Sequence, residues 1–495
     1  MFLSLQERSA AETFPYCSIR KLLREASKVA ILEVRIMRKI RAEGWKRMLT
    51  IVLVLTGDVQ EARMAEAYLR ENCLGGGYER ILVYCGEDAA ALAYLEQDAS
   101  GIILDGREAG IAASCNAALQ HAHGREVLFS AAAYVLVRTA LRAMKRAADG
   151  IDGAALVVPL LQSPLGLAKV QELPADQRLR YQDAEGLRRF SEALSAKRDV
   201  SFVDASLDFC FLARRRALLE IGGFSEEFHT MPFLMLDLCL RFWQMDRPCV
   251  AAQGVFAHRN YGRFPYDKQD DERIVCKYGV KYPYSFIPRM EFVDRMEVER
   301  PGLAVLEVGC ACGATLLAIR NRNPEARLYG IEFNEKAAAF ARRFAVVEAL
   351  DVEKLHKPAW HEKFDCILLG DVIEHLREPQ RAMENLVTLL KPGGRVFVSV
   401  PNVMHFSVFR MMLAGRWMYE DAGILDRTHL RFFTRTEILL LLRQIGLEPQ
   451  EVFASRDSET EQDQAFIAQL AALMPPGVDA QELHAFQWKV VAQKR

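Results

Sequence analysis

A glycine-rich turn between an apolar strand and a helix constrains this chain more than any other feature of its sequence. The run VLEVGCACG covers residues 305–313, and the segment that follows it, TLLAIRNRN, has the pattern of a helix. Gly309 and Gly313 remove side chains where the backbone must bend sharply and pass close to a ligand. A strand, a glycine turn and a helix in this order are typical of a parallel α/β sheet that holds a nucleotide-type cofactor.

A carboxylate follows the turn at a separation that suits ribose binding. Glu332 lies in the apolar run RLYGIEF, and it comes about twenty residues after Gly313, as expected for a residue that accepts hydrogen bonds from ribose hydroxyls. The turn itself reads E-x-G-x-x-x-G, which differs from the G-x-G-x-x-G of dinucleotide sites. Two later runs complete the pattern, FDCILLGDVIEHL at residues 364–376 and LLKPGGRVFVSVPN at residues 389–402. Within the second run, residues 391–394 (KPGG) are expected to form a structural turn before the fifth strand.

In this order and with these spacings, the blocks resemble the class I S-adenosylmethionine-dependent methyltransferases. The likeness covers about residues 280–450. It is greatest to the branch that contains ubiquinone-biosynthesis-type O-methyltransferases and the methyltransferase modules fused to bacterial glycosyltransferases. The resemblance implies a Rossmann-like, doubly wound sheet in residues 289–495 and S-adenosyl-L-methionine as the cofactor.

The resemblance also implies roles for the residues of the turn. Glu307 would orient the turn and accept a hydrogen bond from the amino acid end of the cofactor. Gly309, Ala311 and Gly313 would let the methionine moiety and the ribose lie against the backbone, and Glu332 would accept from both ribose hydroxyls.

Three further positions complete the expected cofactor site. Asp351, in the run ALDVEKL, lies where relatives place an acidic residue that accepts from the adenine amine. Gly370 and Asp371 end the strand FDCILLG and would border the methionine and sulfonium end.

Two clusters are candidates for the base that an oxygen acceptor benefits from near neutral pH. The first is Glu374 with His375, expected to open the helix after the fourth strand, and the second is Asp426 with His429 and Arg431. His405, which follows the run PNVM, is a further candidate. The second cluster lies in residues 403–433, an aromatic-rich segment that we interpret as a lid over the methyl acceptor. The alternatives are that His375 caps or buttresses its helix and that the LRFF run is a core strand.

The first half of the chain alternates strand and helix patterns from Met48, which predicts another α/β layered domain. Over residues 48–262 it resembles the GT-A fold of family 2 glycosyltransferases, which take a sugar from a nucleotide-sugar donor. The matching positions are a glycine and an asparagine near the third helix, a GGF turn, an LCLR-type helix and a terminal histidine: Gly110, Asn116, Gly223, Phe224, Asp237, Cys239, Arg241 and His258.

The chemistry expected of that family is missing from this half. Where the family has an acidic D-x-D-type signature for a divalent cation, residues 130–134 read SAAAY. Alanine offers no oxygen ligand to a hard cation. The position of the family's catalytic base is taken by Met235. We therefore expect this half to have lost sugar transfer and to serve as a scaffold or a glycan-recognition module.

The composition limits the classes of protein to which this chain can belong. A chain of 495 residues with 51% hydrophobic and 26% charged residues is typical of a globular protein with more than one domain. The net charge of -1 gives no indication of nucleic acid binding. The 11 cysteines are scattered, which predicts reduced thiols and a cytoplasmic location, and Cys310 and Cys312 have no second pair at metal-ligand spacing. No apolar run approaches the roughly 18 residues that span a bilayer.

The N-terminal end of the chain and the segment between its two halves are considered separately. Residues 1–47 are either an upstream extension, with Met48 as the native start, or a short amphipathic helix. Residues 263–288 are too aromatic for a flexible tether, so we expect a packed linker whose tyrosines alternatively line the acceptor site.

The functional expectation is O-methylation of a saccharide or glycan precursor, a small-molecule acceptor, with S-adenosyl-L-methionine as donor and no metal. The saccharide follows only from the attached glycosyltransferase-like half, which is an argument by association. One rival is a bifunctional glycosyltransferase and methyltransferase. The other is a non-catalytic scaffold in a glycan-assembly complex.

Overall fold

A computed structural model describes residues 49–64, 78–97, 101–132, 134–136, 140–161, 200–259 and 267–495. Within these ranges the chain forms two β-sheets with helices packed on them, so the expected α/β class is confirmed. The expectations for residues 1–47 and for Met48 lie outside the described residues. None of the helices in the described ranges is both long and apolar enough to cross a membrane.

The N-terminal sheet has nine strands in the order β3-β2-β1-β4-β8-β6-β9-β5, with β7 paired to β9. The strands β3, β2, β1 and β4 are parallel, whereas β8 runs antiparallel to β4. The bounds are β1 Leu49–Leu55, β2 Tyr78–Tyr84, β3 Ile102–Asp105, β4 Glu126–Ala131, β5 Tyr134–Leu136, β6 Leu156–Leu161, β7 Val200–Val203, β8 Cys210–Arg214 and β9 Cys249–Arg259.

Helices cover this sheet and close its core. Their bounds are Ala89–Glu96, Gly110–His121, Ala140–Gly150, Arg215–Glu220 and Met231–Gln244. Asn116 joins two of the motifs found in the sequence, because its amide oxygen accepts from the Phe224 N–H at 2.7 Å and its amide nitrogen donates to the Phe224 carbonyl at 2.9 Å. The Phe224 ring packs against Phe129, with ring centroids 4.9 Å apart.

The C-terminal sheet has seven strands in the order β12-β11-β10-β13-β14-β16-β15. The first five are parallel, and β16 lies antiparallel between β14 and β15. The bounds are β10 Ala304–Val308, β11 Arg327–Glu332, β12 Val346–Ala349, β13 Phe364–Gly370, β14 Leu390–Pro401, β15 Leu447–Ser455 and β16 Gln487–Lys494. This is the doubly wound arrangement expected for this half.

The helices of the C-terminal half connect these strands. Their bounds are Met290–Val293, Ala314–Arg322, Glu335–Ala341, Pro379–Leu389, Phe406–Leu413, Arg435–Gln444 and Glu461–Ala471, with 3-10 turns at Val352–Lys354, Pro358–Trp360, Ile373–His375 and Ala480–Leu483. Side-chain caps begin several of them. Asn334 accepts from the N–H groups of Lys336 and Ala337, and Thr460 forms a capping box with Asp463.

Two local expectations were wrong. Glu374 and His375 lie in the 3-10 turn Ile373–His375, and the helix that they were expected to open begins later, at Pro379. Proline at the first helical position is favourable because its missing N–H would have no partner there. Residues 391–394 belong to a strand that begins at Leu390, with a register shift opposite Phe364 and Cys366, rather than to a turn before it.

The connection between the sheets is packed over its described part. It contains the helix Lys268–Tyr278 and the 3-10 turn Tyr284–Phe286. The fully buried Asp237 carboxylate accepts from Lys277 at 3.0 Å and from the Tyr278 hydroxyl at 2.5 Å, and it pairs with Arg241 at 2.7 Å. These bonds attach the linker helix to the N-terminal half, because a buried carboxylate needs its partners to offset the loss of water.

Candidate active site

The turn predicted from the sequence lies at the switch point of the C-terminal sheet, where the strand order reverses between β10 and β13. Gly309 and Gly313 have φ angles of 68° and 82°, in the left-handed region. A Cβ atom on Gly309 would lie 2.8 Å from Cγ2 of Val372, and one on Gly313 would lie 2.7 Å from the Phe344 ring. Both glycines are therefore required by the backbone angle and by the space around it.

Glu332 is held against this turn. One carboxylate oxygen accepts from the Ala311 N–H at 2.8 Å, and the other accepts from the Asn334 N–H at 2.8 Å. The next residue, Phe333, is 81% exposed. An exposed ring beside a carboxylate that is predicted to hold a ribose could stack on a planar base. We did not single out Phe333 in the sequence, although its place directly after the carboxylate was the available signal.

Glu307 is buried at the end of β10 with an unused hydrogen-bonding position. Its side chain hydrogen-bonds the Thr315 hydroxyl, while Oε2 is buried and has no partner. Burial raises the pKa of Glu307 to about 8, although the Thr315 hydrogen bond and nearby Arg289 act in the opposite direction. An unpartnered buried carboxylate is costly, and an ammonium group such as the one on the cofactor's methionine moiety would satisfy it.

Arg289 is a site residue that the sequence analysis missed. Its guanidinium donates to the Asp371 carboxylate at 2.7 Å, and its backbone N–H donates to the Thr315 hydroxyl at 3.1 Å. A Cβ atom on Gly370 would lie 2.8 Å from Nε of Arg289. The arginine lies well before β10 in the chain, and no local pattern marks it. Its guanidinium places a cation beside Asp371 at the carboxyl end of β13, where it could pair with an anionic group of a ligand.

The two remaining acidic positions lie at the same edge of the sheet. Asp371 has φ 55° and accepts from the Ser399 hydroxyl at 2.8 Å and from the Gln487 side chain. Asp351 caps the turn Val352–Lys354, accepting from the Glu353 N–H at 3.0 Å. Their proposed contacts with the sulfonium end and the adenine stay predictions, as do the roles of the other cofactor residues.

The structure brings both predicted base clusters together. The last part of the lid segment lies against the turn Ile373–His375. The N–H groups of Leu430 and Arg431 donate to the Glu374 carbonyl at 2.8 and 3.0 Å. Ligand atoms of Glu374, His375 and His429 lie within 4.8 Å of one another. Both carboxylate oxygens of Glu374 are buried without a hydrogen-bond partner. Burial and nearby Asp371 raise the pKa of Glu374 well above its usual range.

A threonine connects the acid of one cluster to the histidine of the other. The Thr428 hydroxyl donates to Asp426 Oδ1 at 2.6 Å and lies 3.2 Å from His375 Nδ1, which is also 3.2 Å from the Thr428 carbonyl. Because a carbonyl only accepts, the His375 proton is on Nδ1, which leaves the Nε2 lone pair free. We call Asp426, Thr428 and His375 the acid–hydroxyl–imidazole chain. The sequence analysis did not include Thr428.

The charge states of this chain follow from its surroundings. Burial and the neighbouring His429 lower the pKa of His375, so the imidazole is neutral near pH 7. Burial acts to raise the pKa of Asp426, but the side-chain and backbone hydrogen bonds from Thr428 outweigh it, and the net shift is downward. An ionised acid therefore lies behind a neutral imidazole, an arrangement that suits a proton acceptor.

The same groups form a donor set of another kind. His429 donates from Nδ1 to the Ile424 carbonyl at 2.9 Å, which leaves its Nε2 free like that of His375. Two such imidazoles with the Glu374 carboxylate could hold a divalent cation. The expectation of no metal at this site stays a prediction. His405 has a structural position instead, since it begins the helix Phe406–Leu413 and bonds Ser407.

The corresponding edge of the N-terminal sheet is arranged differently. The Glu61 carboxylate accepts from the N–H groups of Thr56 and Gly57 at 3.1 and 2.6 Å, so the loop after β1 is bonded within the chain. Ser130 is buried and donates its hydroxyl to the neighbouring carbonyl at 3.0 Å. Met235 is fully buried within its helix.

Comparison with known proteins gives matches to the C-terminal half of the chain. Residues 284–452 match the family model described as a methyltransferase domain. Together with the doubly wound sheet and the carboxylates around its glycine turn, this match defines the C-terminal half as a methyltransferase domain of the S-adenosylmethionine-dependent class.

Several proteins of similar sequence are named ubiquinone biosynthesis O-methyltransferase, and two of them show the extent of the likeness. The one from Ruegeria pomeroyi is 31% identical over 170 residues, which are 32% of this chain and 66% of that protein. The one from Coxiella burnetii is 29% identical over 134 residues, 26% of this chain and 55% of that protein. The matches thus span less than two thirds of these relatives. A solved S-adenosylmethionine-dependent methyltransferase from Mesorhizobium loti is 19% identical, with a TM-score of 0.28, over 40% of this chain and 93% of that one.

Proposed function

We propose that this protein transfers a methyl group from S-adenosyl-L-methionine to an oxygen atom of a saccharide or glycan-type acceptor. The observation that carries the proposal is the acid–hydroxyl–imidazole chain of Asp426, Thr428 and His375 at the cofactor edge of the C-terminal sheet. A hydroxyl acceptor needs its proton removed during transfer, and a neutral imidazole is suited to that step. The names of the similar proteins also support oxygen as the methylated atom.

The residues around the turn fit the cofactor. When bound, S-adenosyl-L-methionine supplies an electrophilic methyl group on its sulfonium. Glu332 would hold the ribose hydroxyls, the unpartnered Glu307 oxygen would receive the ammonium group, and Arg289 would approach the carboxylate. Because the electrophile is intrinsically reactive, the main contribution of these residues is alignment.

His375 removes the proton of the acceptor hydroxyl in this proposal. The Nε2 atom is free because Nδ1 donates to Thr428. When the imidazole becomes positively charged, the ionised Asp426 compensates it through the Thr428 hydroxyl, 2.6 Å from its carboxylate. Glu374 is 1% exposed. Burial raises the pKa of Glu374 well above its usual range and so favours the uncharged carboxyl, which in this proposal lies beside the two imidazoles without forming an ion pair with them.

The lid segment supports an acceptor rich in hydroxyl groups. Trp417 and Tyr419 are 41% and 49% exposed, and the Trp417 ring packs edge-on against Phe432 with centroids 5.6 Å apart. Arg427 and Asp421 form an ion pair at 2.8 Å close by in the chain. Aromatic faces with a few charged groups around them are typical of sites that stack on sugar rings and hydrogen-bond their hydroxyls.

We further propose that the N-terminal half is a GT-A-like unit that has lost sugar transfer and contributes acceptor recognition or scaffolding. Three features support this. The position of the expected base holds the buried Met235, residues 130–132 at the end of β4 offer no carboxylate, and Glu61 accepts from the amides after β1. At these described positions, a donor diphosphate would find no carboxylate at 130–132 to hold a metal, and the Thr56 and Gly57 N–H groups are already bonded to Glu61.

The proposal is tested by following the methyl group. Extracts of a strain that lacks the protein are incubated with purified full-length chain and S-adenosylmethionine labelled on the methyl carbon. We expect label in a saccharide-containing fraction, and none when His375→Asn replaces the wild type. Label in a non-saccharide product would contradict the acceptor class. Cofactor binding without any transfer would favour the scaffold alternative.

A further inference from the structure

The cofactor turn packs against the N-terminal half of the chain as well as against its own sheet. Cys312, the residue before Gly313, is 2% exposed, and its side chain belongs to the hydrophobic core built on the N-terminal sheet. Ala337 and Phe340, from the helix Glu335–Ala341 of the methyltransferase domain, belong to the same core. Side chains of the cofactor-binding half therefore contribute to the core of the other half.

Trp243 contacts residues of both halves. It lies in the helix Met231–Gln244, and its indole N–H donates to the Val203 carbonyl at 2.9 Å. Its ring meets Phe344 edge-on, with centroids 6.3 Å apart, and its carbonyl accepts from Nε of Arg343. Phe344 in turn lies against Gly313, at the place where a Cβ atom would be. Trp243 thus reaches the cofactor turn through one intervening ring.

A second contact anchors the helix that leaves the turn. Asn321 lies in the helix Ala314–Arg322, which begins directly after Gly313. Its amide oxygen accepts from the Phe202 N–H at 2.8 Å, and its amide nitrogen donates to the Phe202 carbonyl at 2.8 Å. The amide pairs with β7 as a neighbouring strand would. The turn and the far end of its helix are therefore both held by the N-terminal half.

From these contacts we infer that the N-terminal half positions the cofactor turn, with Trp243 and Asn321 as positioning residues for S-adenosylmethionine binding. The inference rests on the proposed cofactor site and gives the N-terminal half a role other than sugar transfer. Neither residue touches the acid–hydroxyl–imidazole chain, so loss of either should weaken the cofactor interaction and spare acceptor binding. A shift of a packed turn by a fraction of an ångström is sufficient to reduce affinity, since the amide of Ala311 and the carboxylate of Glu332 must face the ribose together.

Calorimetry with adenosylhomocysteine on the full-length protein tests this inference without knowledge of the acceptor. Trp243→Ala is expected to raise the Kd about 3- to 30-fold, the range typical of coupling through packed networks. Trp243→Phe, which keeps a ring against Phe344, should restore most of the affinity. Phe129→Leu is the matched control, because Phe129 belongs to the same N-terminal core but packs on Phe209, Phe211 and Phe224, away from the turn. Its Kd should equal that of the wild type.

Asn321→Ala provides a second variant should Trp243→Ala fail to fold. It removes two hydrogen bonds without opening the core, and we expect a weaker Kd for adenosylhomocysteine and a raised KM for the cofactor, with the KM of the acceptor unchanged. A folded Trp243→Ala or Asn321→Ala protein with wild-type Kd would overturn the inference. No binding by the wild type would instead overturn the proposed cofactor site.

Discussion

The two sheets of this chain share an arrangement of parallel strands, but the polar groups at their carboxyl edges are bonded differently. Strands β3-β2-β1-β4 and strands β12-β11-β10-β13 are both parallel sets whose order reverses at one point. At the N-terminal reversal, Glu61 bonds the loop amides and a buried serine bonds its own neighbour. At the C-terminal reversal, Glu307 and Glu374 keep buried carboxylate oxygens without partners. The same fold pattern can thus be closed by its own side chains or kept open for a ligand.

Buried polar groups without hydrogen-bond partners destabilise the folded chain, so their presence at one edge of a sheet indicates a binding site there. A polar atom that is buried without a hydrogen bond costs about 1–3 kcal/mol. A chain retains such atoms where something else repays the cost, such as a ligand that is bound there for part of the time. At the N-terminal edge, Glu61 and Ser130 find their partners within the chain, so these two groups need no ligand.

The largest expected effect is at the acid–hydroxyl–imidazole chain. Substitution of His375 by asparagine should lower kcat by about 10²- to 10⁴-fold, the usual contribution of a general base. In the wild type, the rate should fall only below about pH 6.5, because the lowered pKa of His375 keeps the imidazole neutral above that. The measurement is transfer of labelled methyl to the acceptor found in extracts, over a range of pH.

Cofactor affinity is the control for this variant, since His375→Asn should bind adenosylhomocysteine like the wild type. Dialysis against a chelator is expected to leave the wild-type rate unchanged. Loss of activity on chelation, with recovery on addition of zinc or magnesium, would replace the proton-acceptor role of His375 with cation binding by Glu374, His375 and His429.

The next effect concerns the carboxylate beside the turn. Glu332→Ala should weaken adenosylhomocysteine binding by about 1–3 kcal/mol, because charged hydrogen bonds to the ribose and the bond to the Ala311 N–H are both lost. Calorimetry measures this directly. Glu335→Ala is a suitable control, since Glu335 is an exposed carboxylate three residues later that pairs with Arg342. An unchanged Kd for Glu332→Ala would refute its assignment.

Features that depend on a local run of sequence could be predicted, whereas contacts between residues far apart in the chain could not. The glycine turn, β10, β11 and β13 were predictable because each rests on a local run of apolar residues and on backbone angles that glycine permits. Arg289 and Thr428 were not, because their partners Asp371 and His375 are far away in the chain. The helix expected at Glu374 failed for a local reason, namely Pro379, which sets the helix start five residues later.

A smaller effect should appear in the pH dependence of cofactor binding. Burial raises the pKa of Glu307 to about 8, so the free protein holds a proton there at pH 6. An ammonium group binds the ionised form, and affinity for adenosylhomocysteine should therefore increase with pH up to about 8, by at most about tenfold per unit. Glu307→Gln should remove this dependence and bind weakly throughout. An equal slope in both proteins would show that another group titrates.

The smallest expected effect tests the N-terminal edge itself. Calorimetry of the full-length protein with common nucleotide-sugars and Mn²⁺ should give no binding heat. Glu61→Gln should not create any, although it weakens the cover over the Thr56 and Gly57 amides. The reason is that free amides alone do not hold a diphosphate at this edge, since residues 130–132 supply no carboxylate for the cation. Binding by the wild type would make the two edges alike and favour the bifunctional alternative. Binding by Glu61→Gln alone would mean that the N-terminal edge is closed by one side chain rather than by the loss of its metal ligands.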